Sequence, residues 1–305
     1  MAQTLYEHRD ANIRTTWALM TGFLVFVIGI GFLFSQAFQA PEILYIAVLF
    51  SMGSNIIAFW FSDRIALSMS GARPVSREEN VRLYRMVENL SITAGLPMPR
   101  LYMIPGAQIN AFATGRNPQK AAVAVTRGAL EKLDDNELEG VLAHELSHIG
   151  NRDMLVGTVA VVLAGVISIL ADIGLRAGLH GRSSDNNSKQ GSAALLIIAL
   201  IAAILAPIAA TIIRLAVSRK REYLADASGA LLTRYPEGLA SALEKIGADS
   251  APFQHAHNAT AHLFLVNPFK GKDALSWFTK LFMTHPPVAD RIRALRGMDQ
   301  ARDTA

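Results

Sequence analysis

The stretch His144-Glu145-Leu146-Ser147-His148 decides how the rest of this chain of 305 residues is read. On a helix, positions i and i+4 share one face, so the two imidazoles can grip one metal ion. Glu145 projects from the next position round, where it reaches a water on that ion but is poorly placed to bind the metal itself. This division of labour is what metal-assisted peptide hydrolysis needs, provided that the pentad is helical. The residues before it supply that condition. Asp134-Asp135-Asn136-Glu137 has the cap and first-turn acids of a helix start, and Leu138, Val141, Leu142 and Ile149 recur at helical spacing.

Composition points away from a water-soluble domain. Hydrophobic residues make up 51% of the chain and charged residues only 18%, which favours a membrane protein. Four apolar stretches approach spanning length. Trp17 to Phe38 carries no charge, and Ile43 to Phe61 follows after Gln39-Ala40-Pro41-Glu42, a link short enough for a tight hairpin across an apolar layer of ~30 Å. Met154 to Leu170 and Ala193 to Ile213 form a second pair; a buried core hairpin is the alternative for it. The first stretch exceeds the ~7–15 residues of a signal-peptide core and runs straight into the second, so it reads as a retained anchor.

Arginine and lysine set the expected orientation. Arg64, Arg73, Arg77, Arg152 and Arg219-Lys220-Arg221 flank the apolar runs on one side, whereas the first hairpin's link carries none. Both termini and the segment with the pentad are therefore expected on the cytoplasmic side. Arg176, Arg182 and Lys189 in the polar loop of the second pair run against this rule. The net charge of +4 is mostly juxtamembrane and comes with no nucleic-acid motif, so the bilayer and not a nucleic acid is the expected partner. With no cysteine, neither a disulfide nor a thiolate metal site is available.

Between the hairpins, Pro74 to Leu96 reads as a helix opened by a Ser76-to-Glu79 capping box. Leu101–Ile104, Ile109–Thr114 and Ala121–Thr126 read as short strands of a small sheet beside the pentad helix. From Arg221 onward the pattern is mainly helical, with an interruption around Pro252 to Lys272.

Two histidines leave a catalytic metal one protein ligand short. If the second apolar pair is an antiparallel hairpin, it returns Glu222 to the surface from which the pentad helix departs, and both lie about 10 Å from the apolar layer at 1.5 Å rise per residue. Asp226 follows one helical turn later on the same face, suited to accept a hydrogen from a ligand imidazole. The other reading of Glu222 is a solvated carboxylate paired with Arg219 or Arg221. His255, His257, His262 and His285 compete for the third-ligand position.

Four further motifs accompany the pentad in order: Ile109-Asn110-Ala111-Phe112, the run Ser218-Arg219-Lys220-Arg221-Glu222-Tyr223-Leu224-Ala225-Asp226, Val266-Asn267-Pro268, and His285-Pro286-Pro287. Together they resemble the HtpX-type membrane zinc proteases, bacterial relatives of the CAAX prenyl endopeptidases, over nearly the whole chain. The resemblance implies a mainly α fold with a small β-sheet, in which a zincin-type, gluzincin-like catalytic domain is fused to four transmembrane helices. It divides the chain into a transmembrane hairpin (1–61), a first catalytic part (62–153), a second hairpin with its polar loop (154–217) and a second catalytic part (218–305). It implies one zinc ion per chain, held by His144, His148 and Glu222, with Asp226 supporting a ligand ring and Glu145 as the catalytic base. His285 would donate to the oxyanion, and Asn110, Ala111 and Phe112 would form an edge strand that holds substrate.

The implied activity is cleavage of internal peptide bonds in membrane-associated or misfolded proteins at the bacterial cytoplasmic membrane, a quality-control and stress-response role. Two other classes share parts of this pattern. A prenyl-peptide processing protease would use the same residues but needs a large enclosed chamber, for which four spans are few. A non-catalytic scaffold with a structural zinc would close the metal with four protein ligands.

Overall fold

The computed structural model of the chain describes residues 5–180, 219–249, 251, 265 and 286–303. The expected fourth apolar stretch, residues 181–192 of the polar loop before it, His255, His257, His262, Val266-Asn267-Pro268 and His285 lie outside the described residues, whereas Arg176, expected in that loop, lies in the helix Asp153–His180.

Helices α1 (Leu5–Phe38) and α2 (Glu42–Met69) pack against each other and extend beyond the expected apolar stretches. The chain reverses at Gln39, whose φ of +50° is a left-handed turn conformation. Both helices are long and apolar enough to cross a membrane, over Asp10–Gln36 and Glu42–Met69. Their contact is close because a Cβ on Gly31 would overlap the Cβ of Ala47, and small residues are what let membrane helices approach. On the outer faces, Trp17, Val25, Leu33, Tyr45, Ile46 and Leu49 are all more than half exposed. So large an apolar surface is stable against lipid and unfavourable against water.

The inner face of this pair covers α6 (Asp153–His180). Leu19, Phe23 and Val27, four residues apart, and Ala58 pack with Leu155, Val156, Val159, Leu163 and Ile167 in one buried cluster. The described first half of α6 is thus a buried helix among apolar neighbours. It meets α5 (Asp135–Gly150) at a bend of 83°.

Four short strands form a mixed sheet in the order β1-β2-β4-β3. β1 (Arg73–Pro74) is antiparallel to β2 (Arg100–Ile104), β2 is parallel to β4 (Ala122–Thr126), and β3 (Ala111–Thr114) is antiparallel to β4 at the edge. Period-two alternation splits β4 between two cores. Val123 and Val125 face the large cluster with α3 (Val81–Ala94) and α5, while Ala122 and Ala124 join Phe112, Ile104 and Leu67 of α2; the short α4 (Arg127–Lys132) follows β4. The strands are shorter or displaced by a residue or two relative to expectation. Ile109 and Asn110 lie before β3, because the Thr126 hydroxyl accepts from the Asn110 N–H at 2.9 Å and donates back to the Asn110 carbonyl at 3.0 Å.

The helix expected over Pro74 to Leu96 starts later. Ser76 and Glu79 do form the reciprocal bonds of a capping box, but Pro74 is held in β1 opposite Tyr102. The helix begins at Val81, with the Asn80 side chain accepting from the Leu83 N–H at 2.9 Å. It ends at Gly95, whose φ of +64° favours a residue without Cβ.

The pentad helix forms as its sequence requires. Asp134 accepts from the Glu137 N–H and Glu137 accepts from the Asp134 N–H, both at 2.9 Å. Leu138, Val141, Leu142 and Ile149 are all buried in the large core. Two helices cover α5: α7 (Arg219–Thr233) and α8 (Pro236–Ala248), with α9 (Val288–Asp303) packed on α8. The α5–α8 contact is backbone to backbone at Gly140, where an added Cβ would lie 2.6 Å from the Leu239 nitrogen.

Alanine is the better helix former by about 1 kcal/mol, but overpacking against backbone that cannot move aside costs about 1–3 kcal/mol. Gly140→Ala is therefore expected to lower the thermal midpoint of the detergent-solubilised protein. Gly150→Ala, whose nearest neighbour is the Leu96 side-chain tip at 3.8 Å, is expected not to lower it.

Candidate metal centre

His144, Glu145 and His148 sit on α5, and Glu222 and Asp226 on the first turns of α7. The helices come together where α7 has a glycine. A Cβ on Gly229 would lie 3.0 Å from the His144 nitrogen, so a larger residue there would push α7 away from the pentad.

The two imidazoles lie edge to face, 4.7 Å between centroids, with their Nε2 atoms 3.2 Å apart. Glu222 Oε1 is 3.6 Å from His148 Nε2, and Oε2 is 3.9 Å from His144 Nε2. The three residues thus offer ligand atoms that all lie within 4.8 Å of one another.

Both rings are held from behind. His144 Nδ1 is 2.9 Å from Asp226 Oδ1, and His148 Nδ1 is 3.1 Å from Asp153 Oδ2. An imidazole that donates from Nδ1 to a carboxylate keeps its lone pair on Nε2. Two such lone pairs 3.2 Å apart repel each other unless a proton or a metal ion lies between them. Four-coordinate zinc with bonds of about 2.0–2.1 Å to nitrogen separates two ligand nitrogens by about 3.3 Å, so the spacing fits that ion.

Charge gives a second test of fit. Glu145, Asp153, Glu222 and Asp226 are all buried, and the arginines among them are Arg291, fully buried, and Arg221, mostly so. Four carboxylates against two guanidinium groups leave a charge of −2 when the histidines are neutral, which one divalent cation balances. The same imbalance acts on His148. Burial opposes its charge, but the hydrogen bond to Asp153 and the charges of Glu222, Asp153 and Glu145 win and raise it to about 9. Burial is also the main influence on Glu145 and pushes its carboxyl up, with Glu222 adding to the rise. The two imidazoles and the Ala113 N–H, which donates to Glu145, act the other way. A carboxyl held above its usual range beside a metal site is suited to exchange a proton near neutral pH.

Two residues of this centre escaped the sequence reading. Asp153 lies five residues beyond His148, past the end of α5. It is swung back to the ring by the turn at Arg152, which has a φ of +58°. Arg291 on α9 is the largest fully buried side chain among the described residues. Its Nε donates to Asp226 Oδ2 at 2.9 Å, its Nη2 to Asp226 Oδ1 at 2.6 Å, and its Nη1 to the Leu265 carbonyl at 3.2 Å, while Nη1 lies 3.6 Å from Glu222 Oε2. Burial works against ionisation of Asp226, yet the Arg291 charge and the bonds from His144 and Arg291 hold its pKa down at about 2. The only sequence signal for Arg291 is its place six residues after His285.

Of the other sequence-derived site residues, Asn110, Ala111 and Phe112 are all buried at or just before the edge strand. The Phe112 side chain fills the core between sheet and α2, and the Ala111 carbonyl accepts from the Leu265 N–H at 3.2 Å.

The profile of Peptidase family M48 matches residues 76–299. A protease HtpX homolog of Tropheryma whipplei (strain Twist) is 45% identical over 294 residues, which are 96% of this chain and 98% of that protein. One from Pyrococcus furiosus is 48% identical over 281 residues, 92% of each chain. The crystal structure of S. mikatae Ste24p aligns with a TM-score of 0.47 at 18% identity, covering 92% of this chain and 66% of that one. The chain belongs to peptidase family M48, among its HtpX-type membrane metalloproteases.

Proposed function

We propose that this protein is a zinc-dependent endopeptidase that cleaves internal peptide bonds of membrane-associated or misfolded polypeptides. The observation that carries this reading is the convergence of His144, His148 and Glu222 within 4.8 Å, with a buried Glu145 of raised pKa on the same helix turn. His144, His148 and Glu222 would hold a zinc ion, which would supply Lewis acidity toward a water and the scissile carbonyl. Glu145 takes the proton of the attacking water and passes it to the departing amine nitrogen. Asp226 and Asp153 keep the two ligand rings in the tautomer that presents Nε2. Arg291 holds Asp226 ionised. His285 donates to the developing oxyanion. Substrate lies along the outer edge of β3, displacing Leu265 from the Ala111 carbonyl, while Asn110 and Phe112 hold that segment on the sheet.

In this reading the fold is a gluzincin-like zincin domain in two parts, 62–153 and 218–305, interrupted by a second hairpin at 154–217 and preceded by the hairpin at 1–61. Four helices span the bacterial cytoplasmic membrane, and both termini and the centre face the cytoplasm. What supports this orientation is the placement of arginine and lysine along the chain.

Metal analysis of the purified protein is expected to find one zinc per chain in the wild type and a large loss in Glu222→Ala. Metal content unaffected by that change would remove Glu222 from the ligand set. Glu145→Gln is expected to keep its zinc and lose nearly all proteolysis of an unfolded test protein; chelator-sensitive cleavage persisting at the wild-type rate would show that another group is the base. Arg291→Met leaves a buried carboxylate without its partner, which costs about 3–5 kcal/mol. It is expected to lower the thermal midpoint in detergent sharply, whereas Arg293→Met, on an exposed side chain, is expected to leave it unchanged.

A further inference from the structure

The first membrane helix reaches the back of the metal centre through one buried polar side chain. Asn12 on α1 is 4% exposed and lies in the first turn of the apolar segment Asp10–Gln36. Its Nδ2 donates to Asp153 Oδ1 at 2.6 Å and to the Asn151 carbonyl at 3.0 Å, and its Oδ1 accepts from Arg221 Nη1 at 2.9 Å. Asp153 uses its other oxygen for His148 Nδ1, and Arg221 directly precedes Glu222. One amide therefore joins α1 to two segments that lie 139–141 and 209 residues further along the chain, behind two of the three metal-binding side chains. The two bonds that Asn12 donates are buried and the one it accepts is partly so; hydrogen bonds shielded from water are stronger and directional, so the amide fixes positions as well as filling space.

We propose that Asn12 is a positioning residue of the metal centre, holding His148 through Asp153 and the start of α7 through Arg221. It lies outside residues 76–299, which the family profile matches, so the centre is completed by a membrane helix that the profile does not include. The inference rests on the metal reading above. It differs from the apolar packing further along α1 and α6, where Leu19, Phe23 and Val159 share one hydrophobic cluster.

The test uses full-length protein in detergent and measures zinc affinity by competition with a chelator, together with the visible spectrum of the cobalt-substituted form. Groups that orient a ligand ring typically change metal affinity about 10–100-fold when removed, and Asn12 acts one contact further out. Asn12→Leu, close in size but without hydrogen bonds, is expected to weaken zinc binding at least about threefold and to alter the cobalt spectrum. Combined with Asp153→Asn, it is expected to add less than its effect alone, because both act through the same contact. Asn55→Leu removes another buried amide from the α1–α2 pair, one that donates to the Met20 carbonyl, and is expected to leave zinc affinity unchanged. If Asn12→Leu does not assemble, Asn12→Asp keeps an acceptor for Arg221 and sets a second carboxylate against Asp153, and the same loss is expected. Wild type that binds one zinc, with either Asn12 variant binding it equally well, overturns this inference alone; an equal loss in Asn55→Leu does so too. Wild type that binds no metal overturns the metal reading and this inference with it.

Discussion

Four carboxylates, Glu145, Asp153, Glu222 and Asp226, are withdrawn from water around two imidazoles and two guanidinium groups, and the rest of the structure is organised around keeping them there. Burying a carboxylate alone is so costly that it would protonate instead. Here each has a neighbour: Asp226 has Arg291 and His144, Asp153 has His148 and Asn12, Glu145 has the Ala113 N–H, and Glu222 lies 3.6 Å from the Arg291 guanidinium. The remaining negative charge favours a divalent cation. It also explains why α9 is needed although it carries no metal-binding side chain: without Arg291, the centre would hold one more uncompensated charge.

The scaffold meets this demand with close backbone contacts. Gly229 lets α7 reach the His144 turn, and Gly140 does the same for α8 one helical turn earlier on α5. Side chains at these crossings would set the helices farther apart and carry Glu222 out of reach of the rings. The sheet contributes from the other side, since its edge strand directs the Ala113 N–H toward Glu145 and not into the ladder. Membrane and catalytic regions are therefore one packed body: α1 and α2 enclose α6, and α6 begins with the aspartate that orients His148.

Much of this was legible in the chain. The capping residues at Asp134 and Glu137 and the apolar spacing that follows define α5 locally, and a helix of that phase must set His144 and His148 on one face. The two uninterrupted apolar stretches declare α1 and α2 by length and composition alone. The helix expected from Pro74 shows the limit of such reasoning. Its capping box forms, yet pairing of Pro74 with β2 delays the helix to Val81, because a strand register depends on residues far along the chain.

The sequence by itself determined which residues can bind metal and exchange protons, since those properties follow from side-chain chemistry and helical period. Only the tertiary structure decided what stands behind them. Asp153, Arg291 and Asn12 look like ordinary polar residues at a turn, on a terminal helix and at the start of an apolar segment. Their roles come from burial and direction, which are set when segments up to 209 residues apart pack together, and no local pattern encodes that.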